Sequence, residues 1–95
     1  MLSKDEISDK TLISLIQKGN TNAFALLVSK YQLRVKSLGK SFFRNETDAE
    51  DFVQDVFLKV YTSLDSFRGD AQFSTWLMRI AYNTAINSVK RAKEY

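Results

Sequence analysis

The segment TDAEDFVQDVFLKVYTSL, residues 47–64, carries the strongest periodic signal in this 95-residue chain. Apolar side chains recur in it every three or four residues, which predicts an amphipathic helix with one side packed on a core: Ala49, Phe52, Val53, Val56, Phe57, Val60, Tyr61 and Leu64. Thr47 and Glu50 have the spacing of a capping box, and Asp48 suits the positive end of a helix dipole. We therefore predict that Thr47 is the N-cap of this helix.

Helical periodicity on both sides of this segment predicts three more helices, over about 9–18, 22–43 and 74–93. Gly19 and Asn20 mark the end of the first helix, and Ser74 or Thr75 is expected to cap the fourth. Gly39, inside the second helix, would let a neighbouring helix come close. The chain has no proline and no strand pattern, so the expected fold is all-α, a compact bundle of about four helices.

Composition excludes several classes of function. Cysteine and histidine are both absent, which excludes disulfides, the usual zinc sites, thiol nucleophiles and the commonest general base. No apolar run approaches the roughly 20 residues that span a bilayer. The first ten residues, MLSKDEISDK, are polar and mixed in charge, unlike a signal peptide. We expect one small cytoplasmic domain of residues 1–95, with no metal, no cofactor and no membrane insertion.

Charge is strongly segregated along the chain. Residues 30–44 contain five basic residues and no acidic one, whereas residues 46–55 contain five acidic residues and no basic one. Lys90, Arg91 and Lys93 add positive charge near the C-terminus. A basic surface favours a polyanion and an acidic surface favours a basic partner. The alternative is that both blocks are solvated helix faces.

The side of the third helix opposite its apolar stripe is unusual. It holds Asp51, Gln54, Asp55, Leu58 and Thr62, spaced three or four apart; we call this set the acidic face. A large aliphatic residue among carboxylates and an amide is typical of a docking anchor. A singly exposed leucine is the plainer interpretation, and the sequence leaves both open.

The fourth helix places Trp76, Asn83, Asn87 and Lys90 on one side, with Arg79 at its edge. Amides can hydrogen-bond base edges, aromatic rings can stack on unpaired bases, and cations can bind phosphates. This side is therefore a candidate nucleic-acid surface. The alternative is a polar helix face with Trp76 in the core.

The stretch SFRGDAQFSTWL, residues 66–77, breaks the helical pattern just before the fourth helix. Gly69 permits a turn that other residues resist. Phe67 and Phe73 could wall a small pocket for one unstacked base, beside Trp76 and Asn83. Alternatively both phenylalanines close the bottom of the core, which is what we expect of Phe73.

Two segments resemble a known family closely. The run DAEDFVQDVFLKVYTSLDSFRGDAQFSTWLMRIAYNTAIN is similar to region 2 of bacterial RNA polymerase sigma factors, specifically the extracytoplasmic-function (ECF) group of the sigma-70 family. The upstream LISLIQKGNTNAFALLVSKYQLRV resembles the start of that domain. The resemblance covers about residues 8–91. Its signatures, AED-x-x-QD-x-F and FRG…F-x-TWL, occur in the expected order and spacing.

The resemblance implies a transcription initiation domain that binds core RNA polymerase and the promoter minus-ten element. By position, Asp51, Gln54, Asp55 and Leu58 would dock on the clamp helices of the β′ subunit. The melted non-template strand would be captured by the loop and the fourth helix, with one base in a pocket shaped by Phe67, Arg68, Gly69 and the residues through Ser74. Asn83 would lie beside that pocket and Asn87 one turn on. Basic residues of the second and fourth helices would hold phosphates, and an anti-sigma factor is the expected regulator.

The sequence departs from the family pattern in few places. Asn20 replaces a usual aspartate, Met78 a usual aromatic, and Ser63 a bulkier residue, which puts fine promoter preference in doubt. The family normally continues to a second helical domain that reads the minus-thirty-five element. Because that domain is absent here, we expect residues 1–95 to be part of a longer protein.

Two other classes of function remain. The first is a helical protein-interaction module without DNA recognition. The second is a small hydrolase using Asp51 and Asp55, which the residues favour little because both lie on an exposed helix face without a partnering base. We expect a binding domain and not an enzyme.

Overall fold

Residues 7–93 fold into a bundle of four α-helices. The computed structural model describes residues 7–93, and the side chains of residues 7–91. Within these residues the elements are α1 (Asp9–Gln17), α2 (Thr21–Phe42), α3 (Glu46–Ser63), a 3₁₀ turn (Leu64–Ser66) and α4 (Phe73–Lys93), with no strand. The predicted all-α fold class is confirmed. None of the helices in this part of the chain is long and apolar enough to cross a membrane.

Side-chain caps fix where the first three helices begin. Ser8 accepts a hydrogen bond from the backbone N–H of Thr11 at 3.2 Å, and Asn20 accepts one from Ala23 at 3.1 Å. Gly19, with φ 98°, lies in the left-handed region and separates α1 from α2, as predicted. Asn20 is thus the N-cap of α2.

Two predicted caps are wrong. The N-cap of α3 is Asn45 and not Thr47: Asn45 is extended, and its side chain accepts the backbone N–H of Asp48 at 2.7 Å. The helix therefore begins at Glu46, one residue before the predicted cap. α4 begins at Phe73, because the backbone N–H groups of Thr75 and Trp76 both donate to the carbonyl of Gln72. Ser74 and Thr75 thus lie inside its first turn.

Contacts between helices give their relative directions. The rings of Phe24 in α2 and Tyr61 in α3 are 4.9 Å apart, while Gly39 near the other end of α2 lies against Phe52. α2 and α3 are therefore antiparallel. Tyr31 of α2 contacts Phe73 at the start of α4, and Phe42 contacts Tyr82 further along, so α2 and α4 run parallel.

The core is formed by apolar side chains from every element. Its largest fully buried members are Leu12, Leu27, Leu64, Leu77, Val35, Val56 and Val60. The α3 stripe is buried as predicted at most positions, but Tyr61 is 48% exposed and was wrongly placed in it. Tyr61 lies at the edge of the stripe, where its ring packs edge-on against Phe24 outside the core. Gly39 allows the close α2–α3 approach that its position predicts, because a Cβ there would meet Phe52 Cδ2 at 2.7 Å.

Candidate binding surfaces

The acidic face of α3 is open to solvent, and Leu58 is 62% exposed. Asp51, Gln54, Asp55 and Leu58 come together along a surface groove of about 650 Å³. Phe43 and Phe52 form an apolar part of its lining, with their rings 5.5 Å apart. The exposed leucine therefore lies in a groove whose lining combines two phenylalanines with carboxylates. Such an arrangement suits a partner that presents both apolar and basic side chains.

The acidic residues of α3 divide into engaged and unengaged groups. Lys36 of α2 binds Glu46 at 2.6 Å and lies 3.7 Å from Glu50. The hydrogen bond between them raises the pKa of Lys36 and lowers the pKa of Glu46. Asp48 accepts a hydrogen bond from the Asn45 amide at 2.9 Å.

Two carboxylates are left over on α3. Asp51 and Asp55 have no ion pair or hydrogen bond with any residue in the described part of the chain. These are the two carboxylates that the sequence assigns to the acidic face. They are therefore available to a partner without breaking a contact inside the protein.

Sequence reasoning missed part of this groove. Phe43, Asp48, Phe52 and Ser88 also line it, and Ser88 comes from α4. Helical periodicity assigns residues to faces of one helix, and it cannot show which face of α4 lies beside α3. The only sequence signal was the aromatic Phe43 next to the predicted end of the second helix.

A cluster of three aromatic rings packs together where the loop before α4 meets that helix. Phe67, Phe73 and Trp76 lie 5.1–5.8 Å from one another. Phe73 is only 4% exposed and also contacts Tyr31 of α2 at 5.6 Å. Gly69 has φ 80°, so the loop does use the turn that glycine permits. The aromatic residues around the glycine thus join the loop to the core, and the predicted core role of Phe73 is confirmed.

A pocket of about 530 Å³ lies between this loop and α1. The loop contributes Phe67, Arg68, Gly69, Ala71, Gln72 and Phe73, and the first helix contributes Asp9, Lys10, Ile13, Ser14 and Gln17. Ser74, Trp76 and Asn83 do not line it, contrary to the expected neighbourhood. Trp76 packs on Phe67 and Phe73, which do line the pocket, but Trp76 itself does not reach it.

The α1 wall of the pocket is held by a network around Asp9. Lys30 Nζ binds Asp9 Oδ1 at 2.6 Å and also donates to the carbonyl of Ile7 at 3.2 Å. The Tyr31 hydroxyl donates to the other oxygen of Asp9. Burial, with the hydrogen bond to Asp9, raises the pKa of Tyr31 from 10.0 to about 12. These contacts hold the start of α1 against α2, and so they fix the position of the α1 side of the pocket.

The polar face of α4 consists of Arg79, Asn83, Asn87 and Lys90, all exposed as predicted. None of the four has an ion pair or side-chain hydrogen bond with the described residues. Trp76 is half-buried, which lies between the exposed and core alternatives. The side chain of Lys93, which the sequence grouped with this basic end, lies outside the described residues.

Comparison with known proteins assigns this bundle to a family. The model of the family described as Sigma-70 region 2 matches residues 27–95, which is most of the chain. The chain belongs to the sigma-70 region 2 family. This sigma region 2 chain is 48% identical over 83 residues to the ECF RNA polymerase sigma-E factor of Escherichia coli (strain K12), an alignment that covers 87% of this chain and 43% of that protein. It therefore spans less than half the length of that curated relative.

Solved structures agree with the assignment. An engineered region 2 of sigmaE, determined by NMR in complex with GTAAAA, superposes on this sigma domain with a TM-score of 0.83 and 44% identity, covering 92% of this chain and 90% of that one. CnrH, solved in complex with the cytosolic domain of CnrY, superposes with a TM-score of 0.76 and 35% identity, covering 83% of this chain and 51% of that one. The predicted family and its ECF group are confirmed.

Proposed function

We propose that this sigma region 2 domain works in transcription initiation as a double binding module, in the bacterial cytoplasm. The α3 acidic face docks on core RNA polymerase, and the 67–72 loop with α4 holds the unpaired minus-ten element. One observation carries the DNA role. α4 presents unengaged amides and cations without any acidic residue, in a domain 44% identical to a region 2 that was solved with GTAAAA.

On the DNA side, the groups of α4 divide by chemistry. The amides of Asn83 and Asn87 can hydrogen-bond base edges, and Arg79 and Lys90 can neutralise phosphates. The loop pocket, with Phe67 and Gly69 in its wall, is the place for a base turned out of the strand. Such a base gains aromatic contact with the wall and leaves the stack, which favours the melted strand over the duplex.

On the polymerase side, Leu58 is the proposed anchor and the unengaged carboxylates orient the partner. The β′ clamp helices are the expected partner, and a basic helical surface fits the charge of Asp51 and Asp55. Gln54 lies between these two carboxylates in sequence and lines the same groove, so it can hydrogen-bond the docked helix. An apolar anchor surrounded by polar groups is how binding energy concentrates in many interfaces.

An anti-sigma protein is the proposed regulator. Support comes from CnrH, which was solved with the cytosolic domain of another protein, CnrY, and which shares this fold at 35% identity. The partner of this chain would act by covering one of the two proposed surfaces.

The polymerase role is tested by binding to a β′ clamp-helix fragment. Leu58→Ala and Gln54→Ala are each expected to weaken binding, by about tenfold for Leu58 because truncating an interface anchor typically costs about 1–2 kcal/mol. Asn83→Ala, on the other proposed surface, is the matched control and should bind like wild type. Unchanged binding of both α3 variants would place the polymerase surface elsewhere.

The DNA role is tested with single strands. Wild type should prefer a GTAAAA oligonucleotide over a scrambled one, and Asn83→Ala should lose that preference while keeping its fold. If Asn83→Ala retained the wild-type ratio, base reading by this residue would be excluded. Absence of any preference in wild type would favour the alternative, a helical interaction module.

A further inference from the structure

Tyr82 is an aromatic residue on α4 that neither the core nor the proposed site explains. It is 52% exposed and does not belong to the hydrophobic core or to the partly buried side chains around it. Its ring meets Phe42 of α2 nearly at right angles, at 80° and 5.8 Å between centroids. Its hydroxyl has no hydrogen-bond partner among residues 7–91. The ring is therefore positioned on one side and open on the other.

The two helices that meet at Tyr82 carry basic residues and no acidic residue. Neither α2, over residues 21–42, nor α4, over residues 73–93, contains an acidic residue. On α2, Lys30 and Lys36 are engaged with carboxylates of other elements, whereas Arg34 and Lys40 form no ion pair with the described residues. Arg79 precedes Tyr82 by one helical turn. A polyanion can thus approach the α2–α4 side of the bundle without meeting a negative charge on these two helices.

The position of Tyr82 relative to the proposed base reader is fixed by helix geometry. Successive residues of an α-helix are rotated by about 100°, so Tyr82 flanks Asn83. Its contact with Phe42 shows that this flank faces α2. A strand whose base reaches Asn83 would therefore place a neighbouring nucleotide over Tyr82.

We propose that Tyr82 stacks on an unpaired base next to the one that Asn83 contacts, and that Phe42 holds the tyrosine ring in place for this contact. The inference rests on the proposed function, because it extends the single-strand interface from α4 to the edge of α2. A ring already packed on Phe42 loses little side-chain entropy when a base covers its open side. Arg79, about one helical turn before Tyr82, supplies a cation for the phosphates of the same strand.

The test is an NMR titration of the isotope-labelled 95-residue chain with a GTAAAA single strand, comparing four variants with wild type. Tyr82→Leu keeps an apolar side chain but removes the aromatic face, and should weaken binding about fivefold or more. Tyr82→Phe keeps the ring and should bind within about twofold of wild type. Asn83→Ala reports on the proposed function independently.

Tyr61→Leu is a matched control within the same chain. Tyr61 is 48% exposed and is also packed edge-on against a phenylalanine of α2, Phe24 at 4.9 Å, but it lies on α3. The Tyr61→Leu variant should bind GTAAAA with the affinity of wild type. Each variant is first checked for the dispersed amide spectrum of the folded domain.

The outcomes separate the inference from the function beneath it. Wild-type affinity in Tyr82→Leu, with weakened binding in Asn83→Ala, would overturn the inference alone. Equal losses in Tyr82→Phe and Tyr82→Leu would show that the hydroxyl makes the contact and that stacking does not. An equal loss in Tyr61→Leu would also overturn it, because the effect would not be local. No wild-type binding to GTAAAA would overturn the proposed function itself.

Discussion

Replacing Gly39 with alanine tests how closely α2 and α3 approach each other. A Cβ at this position would lie 2.7 Å from Cδ2 and 3.4 Å from Cε2 of Phe52, and 3.6 Å from the carbonyl oxygen of Ala49. Phe52 cannot easily move away, because it is 4% exposed and its ring also packs on Phe43. The first distance is well inside van der Waals contact, so the substitution must displace a buried ring.

Two effects of opposite sign set the magnitude. Alanine is favoured over glycine in a helix interior by about 1 kcal/mol. Overpacking a well-filled core costs about 1–3 kcal/mol. The net expectation is a loss of about 1 kcal/mol in the free energy of unfolding, which for a domain of this size lowers Tm by about 4–8 °C.

Urea and thermal unfolding followed by circular dichroism measure this change. Ser37→Ala is the control in the same helix, because Ser37 is exposed and the substitution adds helix propensity without a steric clash. The double variant Gly39→Ala/Phe52→Leu should be less destabilised than the sum of its single variants, because leucine vacates the space that the new Cβ needs. The reasoning is refuted if Gly39→Ala raises the stability by about 1 kcal/mol, the value of propensity alone.

Three further predictions concern the two surfaces and the network beside the loop. Phe67→Leu should lower the free energy of unfolding by about 1 kcal/mol, because it removes two aromatic ring contacts while keeping an apolar side chain; thermal unfolding checks this. Leu58→Ala should change the stability by less than about 0.5 kcal/mol, since Leu58 is 62% exposed, and a large fall in Tm would show that it belongs to the core. Folding raises the pKa of Tyr31 from 10.0 to about 12, so the stability that its protonated hydroxyl contributes is full below pH 10 and is lost as the pH rises towards 12. Between these pH values, urea unfolding should show a smaller fall in the free energy of unfolding for Tyr31→Phe than for wild type.

The elements of the fold were predictable because their signals are local. The period of apolar residues in α3, the Gly19–Asn20 break and the polar acid-free sequence of α4 each depend on neighbours in the chain. The exposure of Leu58 and Asn83 followed from their angular position on single helices. The cap of α3 was missed because both Asn45 and Thr47 are good N-cap residues, and only backbone geometry distinguishes them.

Features that depend on contacts between helices could not be predicted. The loop pocket is walled by α1 on one side, and no local pattern pairs Asp9 with Gly69. Ser88 joins the acidic groove only because α4 crosses beside α3. Tyr82 was overlooked because its partner Phe42 is 40 residues away in sequence.

The division of charge among the helices explains how one small domain could hold two partners of opposite charge. α3 carries five acidic residues. Lys36 of α2 forms ion pairs with Glu46 and Glu50, which would otherwise extend the negative surface of α3 towards α2. Within the described residues, Asp51 and Asp55 are the carboxylates of α3 with no ion pair or hydrogen bond, and they border the groove together with Asp48, whose hydrogen bond comes from a neutral amide. The cations of α2 and α4 that form no ion pair within the described residues include Arg34, Lys40, Arg79 and Lys90. The ion pairs of Lys36 therefore limit how far the negative surface of α3 extends towards α2. Added salt would weaken the Lys36–Glu46 pair, and with it this separation of charge, before it affected the core.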